Sequence, residues 1–169
     1  PSLEVIKDIE SGQLLIRGIG EQQLEIMVEK IKRKFGVEIV LGEATIPYRE
    51  TIRGTAKVEG RHKKQTGGHG QFGHVWLYME PLAEGSGLEF VDAVVGGAVP
   101  RSYIPAVEKG VHECVRRGAL AGYPVVDIKV TLQDGSHHSV DSSEMAFKMA
   151  TFLAFKKGML EAKPVLLEP

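Results

Sequence analysis

The sequence predicts an α+β protein built in two parts. Three observations carry this. Short runs of alternating or β-branched apolar residues recur along the chain, longer stretches place apolar residues at helical spacing, and Pro47-Tyr48-Arg49 separates a β-β-α-β pattern from a β-β-β-α-β-α pattern. With 169 residues, 43% of them hydrophobic and 25% charged, the composition is that of an ordinary folded chain, with room for one large domain or one plus a small companion.

In the first part, Leu3, Val5 and Ile6 and then Leu14, Leu15 and Ile16 flank the turn-like Glu10-Ser11-Gly12, which predicts a β-hairpin. From Glu21 the period changes. Leu24, Met27, Val28, Ile31 and Phe35 fall on one helical stripe, with acidic residues first and Lys30 to Lys34 last, as the helix dipole favours, and Gly36 is a natural stop. Val37 to Leu41 alternates as a strand. The second part opens with two strands, Thr55 to Lys64 and Val75 to Pro81, around a loop Gln65 to Gly73. Leu88 to Val95 reads as a third strand ending in Gly96-Gly97. A helix follows from about Ser102 to Arg117, with Ile104, Val107, Val111 and Val115 on its apolar stripe and Pro105 in its first turn, where a missing N–H costs little. Pro124 to Leu132 is a further strand and Gln133 to Val140 a polar loop. Asp141-Ser142-Ser143-Glu144 resembles a capping box opening a helix to about Leu160, and Pro164 to Pro169 is extended.

Several function classes fall on composition and spacing. The formal charge of -1 gives no global field for nucleic acid, so any such site must be a local patch. The single cysteine, Cys114, forms no internal disulfide, which points to a reducing, cytoplasmic setting. No apolar run approaches the ~20 residues that span a bilayer, so no membrane role is expected. The six histidines lack metal-ligand spacing: His112-Glu113 has no second histidine four residues after the first, and the neighbours His137 and His138 diverge on an extended segment. No metal site is expected. Ser139, His138 and Asp141 could be written as a triad, but nothing marks a nucleophile elbow or an oxyanion hole.

Gly68-His69-Gly70-Gln71-Phe72-Gly73-His74-Val75 satisfies two phosphate-loop patterns. A dinucleotide loop must open a helix whose N-terminal amides meet the pyrophosphate. Here Val75, Leu77 and Met79 continue as a strand. The kinase pattern lacks its catalytic loop, its metal-binding Asp-Phe-Gly and the chain length for two lobes. A nucleotide-binding enzyme using Gly68 to Gly73 is the competing reading, and it predicts protection from thermal unfolding by ATP or GTP. None is expected. Basic residues concentrate instead at Arg53, Lys57, Arg61, Lys63 and Lys64, with Glu59 the only acid among them. Two imidazoles stand in the polar loop before the last helix, where they can stack on bases or donate to phosphate and 2′-hydroxyl groups.

Gly18-Ile19-Gly20-Glu21-Gln22-Gln23-Leu24-Glu25-Ile26, Pro47-Tyr48-Arg49-Glu50-Thr51-Ile52, Gln65-Thr66-Gly67-Gly68-His69-Gly70-Gln71-Phe72-Gly73-His74, Gly96-Gly97-Ala98-Val99-Pro100, Gly122-Tyr123-Pro124-Val125-Val126-Asp127 and Val140-Asp141-Ser142-Ser143-Glu144-Met145-Ala146-Phe147-Lys148 occur in this order. Together they closely resemble bacterial elongation factor G across essentially the whole chain.

The resemblance implies that residues 1–50 are the later part of domain III, a ferredoxin-like fold whose first strand and helix are absent, as the lack of an initiator methionine before Pro1 also suggests. Residues 53–169 would be domain IV, a ribosomal-protein-like β-α-β fold with a left-handed crossover, where the usual steric rule predicts a right-handed one. It implies a ribosomal translocase fragment acting in translation in the cytoplasm as a monomer. Domain IV would contact small-subunit rRNA at the decoding region and the tRNA–mRNA duplex. Catalysis is not expected here. The sequence has no Gly-x-x-x-x-Gly-Lys-Ser/Thr loop, so no cofactor is expected in this chain, and GTP and Mg belong to an N-terminal domain of the parent. Carried over by position, the RNA-contacting tip comprises Gly96, Gly97, Arg101 and Ser102 in one loop and Gly135, Ser136, His137, His138, Asp141 and Ser142 in the other, with His138 matching the family's tip histidine. Arg61, Lys63, Lys64 and His69 form a secondary basic patch. The sequence departs from the commonest family pattern at His69, Gln22-Gln23 and His137, where Arg, Leu-His and Tyr are usual. A paralogue acting in ribosome protection or recycling is therefore an alternative to the main translocase.

Overall fold

The two apolar runs at the start of the chain pair as their spacing predicts. Strands β1 (Glu4–Lys7) and β2 (Leu14–Arg17) are antiparallel, with Val5 opposite Ile16 and Ile6 opposite Leu15. Helix α1 (Glu21–Phe35) gathers Lys32, Arg33 and Lys34 in its last turn, where cations offset the C-terminal end of the dipole. Arg33 reaches Glu29 one turn back at 3.7 Å. The computed structural model describes residues 4–7, 14–17, 21–35, 48–66 and 68–168. The expected turn at Glu10 to Gly12, the Gly36 stop and the strand Val37 to Leu41 lie outside these residues. The chain divides into two units, Pro1–Pro47 and Tyr48–Pro169.

The second unit is a four-stranded sheet with two helices packed on one face. Strands β4 (Ala56–Thr66) and β5 (His69–Pro81) form a long antiparallel hairpin, and β6 (Leu88–Asp92) lies parallel to β7 (Ile128–Ser136), giving the spatial order β4-β5-β7-β6. Helix α2 (Ile104–Arg117) connects β6 to β7, and α3 (Glu144–Glu161) follows β7. Alternation places Val58, Val75, Leu77, Met79, Val130 and Leu132 on the inner face. They form one core with Val107 and Val111 of α2 and Phe147, Ala154, Phe155 and Met159 of α3. Lys57, Glu59, Arg61, Trp76, Tyr78 and Lys129 alternate with these and face the other way.

Several expectations shift. The glycine-rich segment Gly68 to Gly73 is not a loop, because β5 begins at His69, whose partner is Thr66. Gly73 is required there by close approach: a Cβ on it would lie 2.4 Å from Ala146 O, so the glycine lets the first turn of α3 settle on the sheet. Strand β6 stops at Asp92, three residues early, where Asp92 Oδ1 accepts the Val94 N–H at 3.1 Å and turns the chain. The strand expected from Pro124 starts only at Ile128. Asp127, at φ 58, breaks the run, and its side chain accepts the Gly87 N–H at 2.9 Å. The same strand continues through Gln133 to Ser136, which were expected to be loop. Trp76 pairs with Asp134 but Leu77 with Leu132, so Gln133 is a bulged residue that resets the alternation. The start of α3 is capped by Ser143 alone, whose Oγ accepts the Ala146 N–H at 3.1 Å, and not by the reciprocal Asp141–Glu144 box.

A further strand, β3 (Arg49–Ile52), pairs antiparallel with β8 (Pro164–Leu167) and so ties the start of the second unit to its end. Residues 48–50, given to the first part by the sequence reading, fall in the second unit. Glu50 is fully buried, and its carboxylate accepts four backbone N–H groups, from Ala119, Leu120, Ala121 and Tyr123, at 2.8–2.9 Å. Burial alone would raise this carboxyl, but the four donors outweigh it and hold the group below its ordinary value of 4.5. Cys114 is half-buried on α2, and that burial pushes its thiol up to about 12.

Candidate nucleic-acid interface

The end of the sheet away from Glu50 gathers three connections: residues 93–103 between β6 and α2, residues 137–143 between β7 and α3, and the tip of the β4–β5 hairpin. Each is pinned to the next. In the first, Gly96 and Gly97 turn the chain at φ 71 and 70, with nothing within 4 Å of where a Cβ would stand. Val99 then dives into the core at 1% exposure, anchoring the far side of the turn. Arg101 and Ser102 lie exposed on a short 3-10 turn, Arg101–Tyr103. The Tyr103 ring stacks on Phe147 at 4.9 Å and its hydroxyl donates to Ser142 O at 3.1 Å, joining the first loop to the second.

The second loop is organised around His138. Its Nδ1 accepts the N–H groups of Val140 and Asp141 at 3.2 and 3.1 Å, while its own backbone N–H donates to Ser142 Oγ at 2.8 Å. The ring thus spends Nδ1 on its own loop, with Asp141 Oδ2 3.7 Å away, and is half in solvent. His137 is exposed, with Nδ1 3.3 Å from Ala98 O. Asp141 faces the hairpin, where its carbonyl accepts the Phe72 N–H at 2.9 Å. Gly135 and Ser136 stand apart from the other expected tip residues. Both are in β7, Gly135 against His74 O and Val99 Cγ2 and Ser136 with Oγ 2.8 Å from His74 Nδ1, so they build the sheet end beneath the loops.

Arg61, Lys63, Lys64 and His69 are all exposed at the hairpin, but strand alternation divides Lys63 and Lys64 between opposite faces. Arg61 and Lys63 share the face turned away from the helices. The Arg61 guanidinium stands 5.5 Å over the Phe72 ring, and Phe72 in turn lies 6.4 Å from the His138 ring. Phe72 is the residue that sequence reading missed, and Tyr103, which ends the first expected tip loop, gained there no linking role. The hairpin register could have placed Phe72 beside the cations. Nothing in the spacing pairs Tyr103 with a carbonyl 39 residues away.

The arrangement offers exposed imidazoles and cations on loops that are hydrogen-bonded to one another. Among the described residues, no group of three or more His, Cys, Asp or Glu could hold a metal ion, and no helix is long and apolar enough to cross a membrane.

Comparison with known proteins supplies the relationship. A family model described as elongation factor G, domain IV, matches residues 44–163, and one described as elongation factor G, domain III, matches residues 1–43. A crystal structure of a protein from Thermus thermophilus is similar over 99% of this chain, with 46% sequence identity and a TM-score of 0.82. This chain spans 25% of that longer protein. The protein therefore belongs to the elongation factor G family, and its sequence carries the family's domains III and IV.

Proposed function

We propose that this chain is the ribosome-contacting part of a translational GTPase, and that its second unit acts mechanically. The tip enters the decoding region of the small subunit, meets the tRNA–mRNA duplex, and promotes movement of both by one codon. The observation that carries the reading is the His138 loop: two backbone donors hold the half-exposed imidazole through Nδ1, and Tyr103 ties this loop to the one that bears exposed Arg101 and the open Gly96-Gly97 turn. Such a surface can address phosphates and 2′-hydroxyls, which every codon presents alike. A device that must work on any message needs that indifference to base identity.

In this reading the chain works as a monomer in the cytoplasm and catalyses nothing itself. GTP and Mg are bound by another domain of the parent, and hydrolysis there is coupled to motion of this arm. The test is single-turnover translocation on programmed ribosomes by the full-length parent, wild type against His138→Ala, with GTP hydrolysis followed in the same reactions. Loss of one well-placed hydrogen bond should slow translocation by roughly ten-fold and leave hydrolysis unchanged. Equal translocation rates would remove His138 from the contact, and a wild type that hydrolyses GTP without translocating would point to a different task on the ribosome.

A further inference from the structure

The sheet face turned away from the helices carries a feature that the tip does not need. Four successive outward positions of β5 are aromatic: Phe72, His74, Trp76 and Tyr78, all partly exposed. Across from them, β4 supplies Lys57 opposite Tyr78, Arg61 opposite His74 and Lys63 opposite Phe72. Lys57 Nζ stands 5.7 Å over the Trp76 ring, as Arg61 does over Phe72 at 5.5 Å. The one acid that β4 adds on this face, Glu59, lies 2.8 Å from His74 Nε2 in a hydrogen bond within the protein. On the other side of β5 the face carries acids, exposed Asp134 opposite Trp76 and Glu80 opposite Lys129, so the positive charge is confined to the β4 side of the row. The row begins at the tip, since Phe72 is hydrogen-bonded to the His138 loop.

We propose that this face is a stacking platform for unpaired RNA, continuing the tip contact along β5. The inference rests on reading the second unit as an RNA-contacting domain and extends it to a separate surface and a different form of RNA. Alternate residues of a strand stand about 7 Å apart, and the His74 and Trp76 ring centroids are 6.3 Å apart. A duplex advances only about 3.4 Å per nucleotide along each strand and keeps its base faces covered. A row with twice that spacing suits splayed nucleotides, whose bases lie on the rings while Lys57, Arg61 and Lys63 meet the phosphates.

Trp76 is the only tryptophan of the chain and reports directly on stacking. The experiment titrates the 169-residue chain with a short oligouridylate and, separately, with a short RNA duplex, and follows Trp76 fluorescence. The oligouridylate should quench the emission and the duplex should not. Tyr78→Ala should weaken binding by about ten-fold. Lys57→Ala combined with Arg61→Ala, both at exposed positions where the fold is spared, should lower the salt slope of affinity by about two. His138→Ala should leave quenching intact, which separates this surface from the tip. Quenching by neither RNA, equal quenching by the duplex, or quenching lost with His138→Ala but retained with Tyr78→Ala and the double variant would each overturn the platform. A translocation defect in His138→Ala would stand regardless.

Discussion

Glu50 and His138 use the same chemistry at opposite ends of one sheet. Each side chain accepts hydrogen bonds from the backbone N–H groups of a loop, four at Glu50 and two at His138. Glu50 is 0% exposed, whereas the His138 side chain is 52% exposed. At the base the acceptor is consumed: charge, loop and strand β3 close on one another with nothing left for solvent. At the tip, one ring nitrogen shapes the loop and half of the side chain is left to solvent. A buried acceptor thus fastens the fold, and a half-exposed one turns a loop into a presented group.

Removing the base contact should have the largest effect. Glu50→Ala leaves four buried N–H groups without partners and should cost about 3–5 kcal/mol in urea unfolding. A loss below about 1 kcal/mol would mean that the loop at 119–123 turns its donors to water. The same site should govern acid stability. Its carboxyl titrates below 4.5 in the folded chain, so the unfolded chain binds the proton first as pH falls. The stabilisation is complete above the unfolded value and disappears as pH drops through the lowered folded one. Glu50→Gln should flatten the dependence of the urea midpoint on pH in that acidic window, and an unchanged slope would assign it to other carboxylates.

The glycines sharpen the contrast at smaller magnitude. Gly73→Ala drives a methyl group into the backbone of Ala146 and should cost about 1–3 kcal/mol. Gly97→Ala meets no atom, and only its φ of 70 opposes it, for about 1 kcal/mol in thermal unfolding. Should the two prove equal, α3 must yield at Gly73. His138→Ala should be smallest, within about 0.5 kcal/mol, because its two donors are near water. Measurable destabilisation there would make the histidine a fastener like Glu50.

Helices α1 and α2 and the first hairpin were legible because their apolar periods are local. The glycines of β5 were not, since Gly70 and Gly73 signal a turn and a close approach with the same residue, and only the position of α3 decides between them. Strand β3 was missed because its partner, β8, lies more than a hundred residues away. At the interface, the exposure of His138 and Arg101 followed from a polar loop and a helix start. The placing of Gly135 and Ser136 in the strand, the first facing the core and the second the outward His74, did not, because it depends on the bulge at Gln133, which appears only when β7 is laid against β5.

Cys114 has a practical consequence. A thiol pushed up from its ordinary 9.0 to about 12 is almost wholly protonated at neutral pH, with roughly three powers of ten less thiolate. The native thiol should therefore react slowly with maleimide and iodoacetamide dyes, and a labelling time course checks it. Ser139→Cys, at an exposed position of the His138 loop, would therefore take the label in preference to the native thiol, and that loop could be followed without first replacing half-buried Cys114.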